Sequence, residues 1–127
     1  MNNVVIDETR ESPLVKFNRR KGVITIQGKS TLTDPMHFYK NLLSEIDNYY
    51  HRPCPRTTLE FRLSYINTAS SKWLLHILRS IDSLNNGDMP STFIDWYHEY
   101  DDEAVQEAGE VYQSLIKIPF RLIPETY

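Results

Sequence analysis

Near the middle of the chain an alternating apolar segment runs directly into a helical one, and this junction constrains the fold more than any other stretch. Residues 59–66 alternate between apolar and polar side chains, which predicts a strand, and residues 73–84 carry leucine and isoleucine at helical spacing. The residues between them are Asn67, Thr68, Ala69, Ser70, Ser71 and Lys72. A strand that turns directly into a helix places such residues at the helix N-terminus, where unpaired N–H groups favour a negative charge.

The overall composition is that of one globular domain. Of the 127 residues, 40% are hydrophobic and 24% are charged, which suffices for a single core. The net charge of -3 argues against binding to nucleic acid or to a membrane surface. Cys54 is the one cysteine, so there is no disulfide framework, and residues 1–11 lack the apolar core of a signal peptide. We expect a single domain over residues 1–127 in the cytoplasm, with residues 1–12 as a flexible or edge-strand arm.

Hydrophobic periodicity predicts two strands followed by three helix–strand pairs, in the order ββαβαβαβ. The predicted strands are Leu14–Phe17, Val23–Gly28, Thr57–Ile66, Thr92–Tyr97 and Phe120–Pro124. The helix signals are an Asp34 N-cap before Pro35, a stop at Asn85-Asn86-Gly87 followed by Pro90, and an acidic start at residues 101–103. Strands joined through helices are parallel, so we predict an α/β fold with a mixed, mostly parallel five-stranded sheet. Because Glu60, Arg62 and Ser64 give the longest strand a polar face, helices should cover mainly one face of the sheet.

From residue types alone, the junction has a structural interpretation and a functional one. Asn67 or Thr68 is the expected N-cap of the second helix, because Asn and Thr are common there. Ser70 and Ser71 would lie in the first turn as caps or surface residues, and Lys72 would be solvated or would steady a nearby phosphate. The functional interpretation is a hydroxyl that accepts and loses a phosphoryl group.

Other candidate sites are weaker. The four histidines form no HExxH pattern, and the acids after His98 are explained by a helix start, so we expect no metal and no cofactor. Cys54 lies between prolines without a recognisable base, and the sequence contains no GxGxxG, P-loop or GxSxG motif. In the Trp96-Tyr97 pair, one ring is expected in the core and the other on a contact surface.

The junction from Leu63 to Lys72, with its Tyr-x-Asn-Thr-x-Ser-Ser run, resembles the signature of the SiaC family of regulatory phosphoproteins, which is related in fold to STAS domains. The chain length also agrees with that family. Three further features agree with it as well: Tyr49-Tyr50 before a proline-containing loop, the Trp96-Tyr97 strand before an acidic helix start, and Ile118-Pro119-Phe120 before the last strand. The resemblance covers nearly the whole chain after the N-terminal arm. It therefore implies a STAS-like single domain.

The resemblance also implies a function without catalysis. In such a system a dedicated kinase phosphorylates a threonine at this helix start, which is Thr68 here, and a PPM-type phosphatase removes the phosphate. The unphosphorylated form binds and activates a diguanylate cyclase, whose cyclic di-GMP controls biofilm formation. Asn67 stands where STAS relatives carry Asp before the phosphorylated serine. The expected partner-binding residues are Asn67, Thr68, Ala69, Ser70, Ser71 and Lys72, together with Tyr65 and Tyr97.

Two other functions remain open on the sequence. An anti-sigma-factor antagonist would share the phosphorylation switch but act on a different target. A small enzyme would use Cys54, or His98 with its acidic neighbours, and would require a cavity that brings such groups together.

Overall fold

A computed structural model describes residues 3–84 and 91–126, and the predicted helix stop at residues 85–87 and Pro90 lie outside the described residues. The strands are β1 (Val4–Ile6), β2 (Leu14–Asn18), β3 (Val23–Ser30), β4 (Thr57–Ile66), β5 (Thr92–Glu99) and β6 (Phe120–Glu125). The helices are α1 (Met36–Tyr49), α2 (Thr68–Leu84) and α3 (Glu103–Leu115).

The six strands form one sheet in chain order, β1 to β6. The β1–β2 and β2–β3 pairs are antiparallel, and the remaining pairs, from β3 to β6, are parallel. The predicted mixed, mostly parallel α/β architecture is confirmed, with six strands in place of the expected five. The added strand is β1 in the N-terminal arm, which pairs with β2 from Val4↔Phe17 to Ile6↔Val15 at the sheet edge.

The core lies on one face of the sheet, beneath the helices. In β4, Leu59, Phe61 and Leu63 are buried, whereas Glu60 and Arg62 on the other face are half-buried. We call this second face the open face. The alternation therefore gives the correct face for every residue up to Leu63, and helix coverage of mainly one face is confirmed.

Trp96 is the largest fully buried side chain and joins β5 to α3. Its indole Nε1 donates to the Val105 carbonyl oxygen at 2.9 Å, and its ring lies 5.5 Å from Phe61 and 5.4 Å from Tyr112, centroid to centroid. A Cβ at Gly109 would lie 2.5 Å from Trp96 Cδ1, so only glycine allows α3 to approach this ring. Of the Trp96-Tyr97 pair, Trp96 is thus the core residue.

The helix starts differ from prediction in one case. Asp34 is not the N-cap of α1; Pro35 occupies that position, and no side chain caps the helix. In contrast, Asp102 caps α3, because its Oδ1 accepts from the Val105 N–H at 3.1 Å. Pro35 has helical backbone angles but no side-chain acceptor, so α1 begins one residue later than the Asp-Pro pair predicts and without a side-chain cap.

Candidate functional site at the junction of β4 and α2

Asn67 is the only residue between β4 and α2, and it is held from both sides. Its backbone N–H donates to the Ser30 carbonyl at 2.9 Å, and its Nδ2 donates to the Leu32 carbonyl at 2.9 Å. Its Oδ1 accepts from the Ser70 N–H at 2.9 Å, which is the N-cap hydrogen bond. Of the two expected cap residues, Asn67 therefore caps α2, and it also ties the junction to the loop after β3.

Thr68 is the first residue of α2 and is exposed. Because Asn67 makes the cap, the Thr68 hydroxyl forms no hydrogen bond with any residue that the structure describes. It lies at the positive end of the helix dipole, where added negative charge is favourable. The junction thus leaves one hydroxyl free, in a position that a second protein can reach.

Ser70 differs from the prediction that it shapes the surface. Its side chain is fully buried and joins a hydrogen-bonded network with Ser30 and Tyr39. Ser30 Oγ lies 2.7 Å from Ser70 Oγ and 2.6 Å from the Tyr39 hydroxyl. Burial raises the pKa of Tyr39 to about 12, so the phenol stays protonated. Ser70 cannot touch a partner in this fold; its role is to hold the start of α2 onto β3 and α1.

Ser71 is half-buried and connects α2 to α3. Its Oγ lies 2.8 Å from the Tyr112 hydroxyl, which donates to the Ser71 carbonyl at 3.0 Å. Burial also raises the pKa of Tyr112. Of the three hydroxyl residues at the junction, two are therefore used by the fold and only Thr68 is available.

Tyr65 reaches the surface through a break in the β3–β4 register. Gly28 pairs with Leu63, and the next residue, Lys29, pairs with Tyr65, so Ser64 is an extra residue in β4. Such a bulge turns the following side chain to the other face. Tyr65 is 54% exposed, whereas strict alternation along β4 would place it on the buried face with Leu63. Its exposure close to Thr68 is compatible with the predicted contact role.

Lys72 and Ala69 complete the first turn of α2. Lys72 is exposed and lies four residues after Thr68, so the two side chains share one face of the helix. Ala69 is half-buried. A cation one turn from a hydroxyl is well placed to interact with a phosphate on it.

Tyr97 lies apart from this junction, on the open face of the sheet. Arg62 Cζ lies 3.7 Å above the Tyr97 ring, and Arg62 Nη1 is 3.0 Å from Glu125 Oε1. The structure therefore separates Tyr97 from Thr68, which lies on the helix side. A partner that contacts both would have to wrap around the carboxyl end of the sheet.

The groups considered for catalysis lie at opposite ends of the sheet. Cys54 precedes β4, where its Sγ is 3.0 Å from the Arg19 carbonyl oxygen. His98 is buried near the end of β5, with Nδ1 2.9 Å from the Glu99 carbonyl oxygen. His98 and Glu99 help to line a cavity of about 140 Å³; Arg62, which also lines it, is already paired with Glu125. Cys54 and His98 are thus not brought together.

Two further features bear on ligands and membranes. Within residues 3–84 and 91–126, no three His, Cys, Asp or Glu side chains form a group that could hold a metal ion. Among the same residues, no helix has the length and apolar character needed to cross a bilayer.

Ser30, Leu32 and Tyr39 are the residues of the site that the sequence did not indicate. Ser30 lies two residues beyond the predicted end of its strand, and Tyr39 lies in the helix that follows Asp34-Pro35. The available signal was a tyrosine among the apolar residues of that helix, because a buried phenol needs a hydrogen-bond partner. Which hydroxyls supply that partner depends on the tertiary packing.

Known proteins resemble this chain over nearly its full length. A family model described as SiaC family regulatory phosphoprotein matches residues 6–125. An uncharacterized protein from Pseudomonas aeruginosa strain UCBPP-PA14 is 22% identical over 122 residues, which are 96% of this chain and 96% of the relative.

Two solved structures share the fold. Apo-SiaC from Pseudomonas aeruginosa superposes with a TM-score of 0.83 at 22% identity, over 97% of this chain and 99% of that chain. A chain in the crystal structure of the diguanylate cyclase SiaD with its activator SiaC, from the same organism, superposes with a TM-score of 0.85 at 21% identity. The superposition covers 96% of this chain and 99% of that chain. At these identities the structures establish a common architecture.

Proposed function

The chain belongs to the SiaC family of regulatory phosphoproteins, and we propose that it is a non-catalytic switch that activates a diguanylate cyclase until Thr68 is phosphorylated. The observation that carries the proposal is the free, exposed hydroxyl of Thr68, beside a cap that Asn67 provides. A phosphate can be added there without the loss of any hydrogen bond that holds the fold together.

Phosphorylation would change the charge of the junction more than its structure. The phosphate adds about -1.5 to -2 charges and three acceptor oxygens. The start of α2 and the Lys72 ammonium both favour that charge, so the folded chain tolerates it. A partner seated on Thr68 would have to bury a hydrated dianion, which is costly without a matching cation. Binding should therefore be lost while the fold is kept.

The proposal requires two enzymes that act on the chain. A cognate kinase transfers the phosphoryl group of ATP to Thr68, and a PPM-type phosphatase hydrolyses the phosphothreonine. Both must reach the carboxyl end of the sheet, where Tyr65 and Lys72 flank the acceptor. We place the cycle in the cytoplasm, which supplies ATP to the kinase and GTP to the cyclase.

The alternative target is an anti-sigma factor. The relative that is the activator of SiaD favours a cyclase over that alternative. No step of catalysis is assigned to this chain, and the separation of Cys54 from His98 supports that assignment.

The test compares Thr68→Ala with Thr68→Asp as baits for proteins of the source organism. The alanine variant should retain a diguanylate cyclase that the aspartate variant releases. The purified cyclase should then make cyclic di-GMP faster with wild-type chain or Thr68→Ala than alone, and Thr68→Asp should give little activation.

Ser44→Asp is the matched control, because Ser44 is an exposed hydroxyl residue on α1 and the substitution adds the same charge elsewhere. It should activate like the wild-type chain. If Thr68→Asp activates as well as Ser44→Asp does, the electrostatic switch is wrong. If neither bait retains a cyclase, the target is wrong.

A further inference from the structure

The sheet divides near its carboxyl end and leaves a cleft between β4 and β5. The pairing of these two strands ends at Phe61↔Trp96, although each strand stays paired with its other neighbour beyond that point. The cavity of about 140 Å³ occupies this gap, and we call it the β4–β5 cleft. It is lined by residues 62–64, residues 97–99, Asp102 and Glu125. In open α/β sheets, ligands commonly bind in a crevice at the carboxyl ends of the strands.

Backbone groups that would continue the ladder face the β4–β5 cleft. The Thr57 N–H donates across to the residue before β5, so the odd-numbered residues of β4, up to Leu63, direct their backbone groups towards β5. The Ile94 N–H donates to the residue before β6, so the odd-numbered residues of β5, including Tyr97, face β4. The Leu63 N–H and the Tyr97 carbonyl would form the next rung, but the ladder has already ended. The Tyr97 carbonyl oxygen is therefore an acceptor at the wall of the cleft.

His98 presents a second acceptor to the cleft, although the residue is only 7% exposed. Its Nδ1 lies 2.9 Å from the Glu99 carbonyl oxygen, which can only accept, so Nδ1 carries the proton and Nε2 of the neutral ring is an acceptor. Nε2 forms no hydrogen bond with any residue that the structure describes. Because no fully enclosed side-chain nitrogen or oxygen among those residues lacks a partner, Nε2 remains in contact with the space that the ring lines. A buried polar atom without a protein partner calls for a ligand or water.

The charges around the cleft also favour a cation. The Glu99 carboxylate is exposed and forms no ion pair within residues 3–84 and 91–126. Asp102 uses Oδ1 to cap α3, and Glu125 is paired with Arg62. The Arg62 guanidinium is held by that carboxylate and by the Tyr97 ring, so it does not neutralise Glu99. Three carboxylates beside one guanidinium leave the described lining with an excess of negative charge.

We propose that the β4–β5 cleft binds an alkylguanidinium group. A guanidinium has five N–H donors in one plane and is weakly hydrated, so it can donate to His98 Nε2, the Tyr97 carbonyl and the Glu99 carboxylate together. An ammonium has three donors and is strongly hydrated, which makes it a poorer match for a partly buried site. A metal ion does not fit, because the described residues form no group of three ligating side chains.

A groove beside the cleft has room for the alkyl chain. Glu99 and Glu125 border both spaces, and Tyr100 and Asp101 complete the groove. Tyr100 is 64% exposed, so its ring offers an apolar surface to CH₂ groups. The ligand is thus a guanidinium on a short aliphatic chain, carried by an arginine of another protein or by a free guanidino compound. The inference is independent of the proposed function, because β5 and the loop after it hold the cation and the Thr68 junction does not.

An NMR titration of the full, ¹⁵N-labelled chain with n-propylguanidinium chloride at constant ionic strength tests the proposal. We expect saturable shifts of the His98 Nε2 resonance and of the Glu99 amide, with half-saturation on the order of 1 mM for so small a ligand. n-Propylammonium should bind about fivefold or more weakly, because it has fewer donors and a tighter hydration shell.

Glu99→Gln removes the unpaired charge of the cleft and keeps the side-chain shape, so it should weaken binding of n-propylguanidinium about fivefold or more. Glu103→Gln is the matched control, because Glu103 is a nearby exposed acid that does not line the cleft. It should bind like the wild-type chain. Both substitutions lie at exposed positions, and far-UV circular dichroism confirms that each variant is folded.

Two further probes distinguish the sources of the group. N-acetyl-arginine N-methylamide represents an arginine in a protein, agmatine represents a free guanidino compound, and the tighter ligand identifies the source. The absence of saturable shifts with every guanidinium compound would overturn the proposal. Equal binding of n-propylammonium would overturn the selection of a guanidinium. Equal weakening by Glu99→Gln and Glu103→Gln would show that a diffuse acidic surface, and not the cleft, attracts the cation.

Discussion

The two ends of β4 carry the same side-chain types, but at the carboxyl end the exposed hydroxyl of Thr68 has no hydrogen bond among the described residues. At the amino end, the Thr57 hydroxyl lies 2.7 Å from the Tyr49 hydroxyl, and Thr92 Oγ1 of β5 lies 2.8 Å from the Tyr50 hydroxyl. Thr57 and Thr92 are both about 1% exposed, and their hydroxyls are used by the fold. At the carboxyl end, Ser30, Tyr39 and Ser70 form a comparable buried network, but Thr68 lies outside it.

The difference arises from the capping residue. Asn67 supplies the acceptor that Thr68 would otherwise supply, so the threonine hydroxyl has no structural task. Under the proposed function, the regulated hydroxyl is the one that the network of structural hydroxyls leaves unused. This difference also predicts that stability and switching belong to different residues at the same junction.

The largest expected effect separates Ser70 from Thr68. Ser70→Asp would bury a carboxylate among Ser30 and Tyr39 and should lower the free energy of unfolding by about 3 kcal/mol or more, or prevent folding. Thr68→Asp should change it by only about 0.5 kcal/mol, because the charge is exposed and lies at a helix N-terminus. Urea unfolding of both variants makes the comparison.

Ser70→Ala is the control for the first prediction, since it removes the hydroxyl without adding charge and should cost about 1 kcal/mol. Equal unfolding midpoints for Ser70→Asp and Thr68→Asp would contradict the assignment of stability to Ser70 and of switching to Thr68.

A smaller effect is expected at the amino end of β4. Thr57→Val keeps the side-chain shape but removes the hydrogen bond to Tyr49, at a cost of about 1–2 kcal/mol. Activation of the cyclase per folded molecule should not change, because this end is remote from Thr68. Urea unfolding and the cyclic di-GMP assay measure the two quantities. A Thr57→Val chain that unfolds like the wild type but fails to activate would reverse our assignment of the two ends.

The smallest effect concerns pH and the carboxyl-end network. The pKa of Tyr39 is raised by burial from 10.0 to about 12, so the folded state holds the phenolic proton more tightly than the unfolded state. This stabilisation is fully present below pH 10 and is lost as the pH rises towards 12. At about pH 11 the loss should be about 1 kcal/mol.

Tyr39→Phe isolates that contribution, because the other tyrosines are common to both chains. The unfolding free energy of the wild-type chain should fall more steeply with pH than that of Tyr39→Phe. Parallel slopes between pH 9 and about pH 11 would show that the Tyr39 phenol is not held in the buried network.

Much of the fold follows from local patterns in the sequence. The alternation in β4, the acidic start of α3 and the apolar stripes of the helices predicted the α/β order, because each pattern reflects burial on one face. The sequence does not decide whether the N-terminal arm is flexible or forms an edge strand, because the three residues of β1 are too few to show a periodic pattern. The prediction for Asp34 was wrong because the helical backbone begins one residue later than the Asp-Pro pair indicates, with Pro35 at the cap position.

The site was predictable to a lesser degree. The Asn67-Thr68 junction could be located from sequence, but the burial of Ser70 and the outward turn of Tyr65 could not. The first depends on Ser30 and Tyr39, which are far away in the chain, and the second depends on a bulge opposite Gly28. Neither a tertiary hydrogen bond nor a register shift leaves a local sequence pattern.

The central claim is that Thr68 alone, among the hydroxyls of the junction, is available for phosphorylation. Mass spectrometry of the wild-type chain after incubation with its kinase and ATP tests it most directly. We predict a single phosphate on Thr68, none on Ser70 or Ser71, and no incorporation into Thr68→Ala. Phosphate on Ser70 or Ser71, or undiminished phosphorylation of Thr68→Ala, would contradict the account.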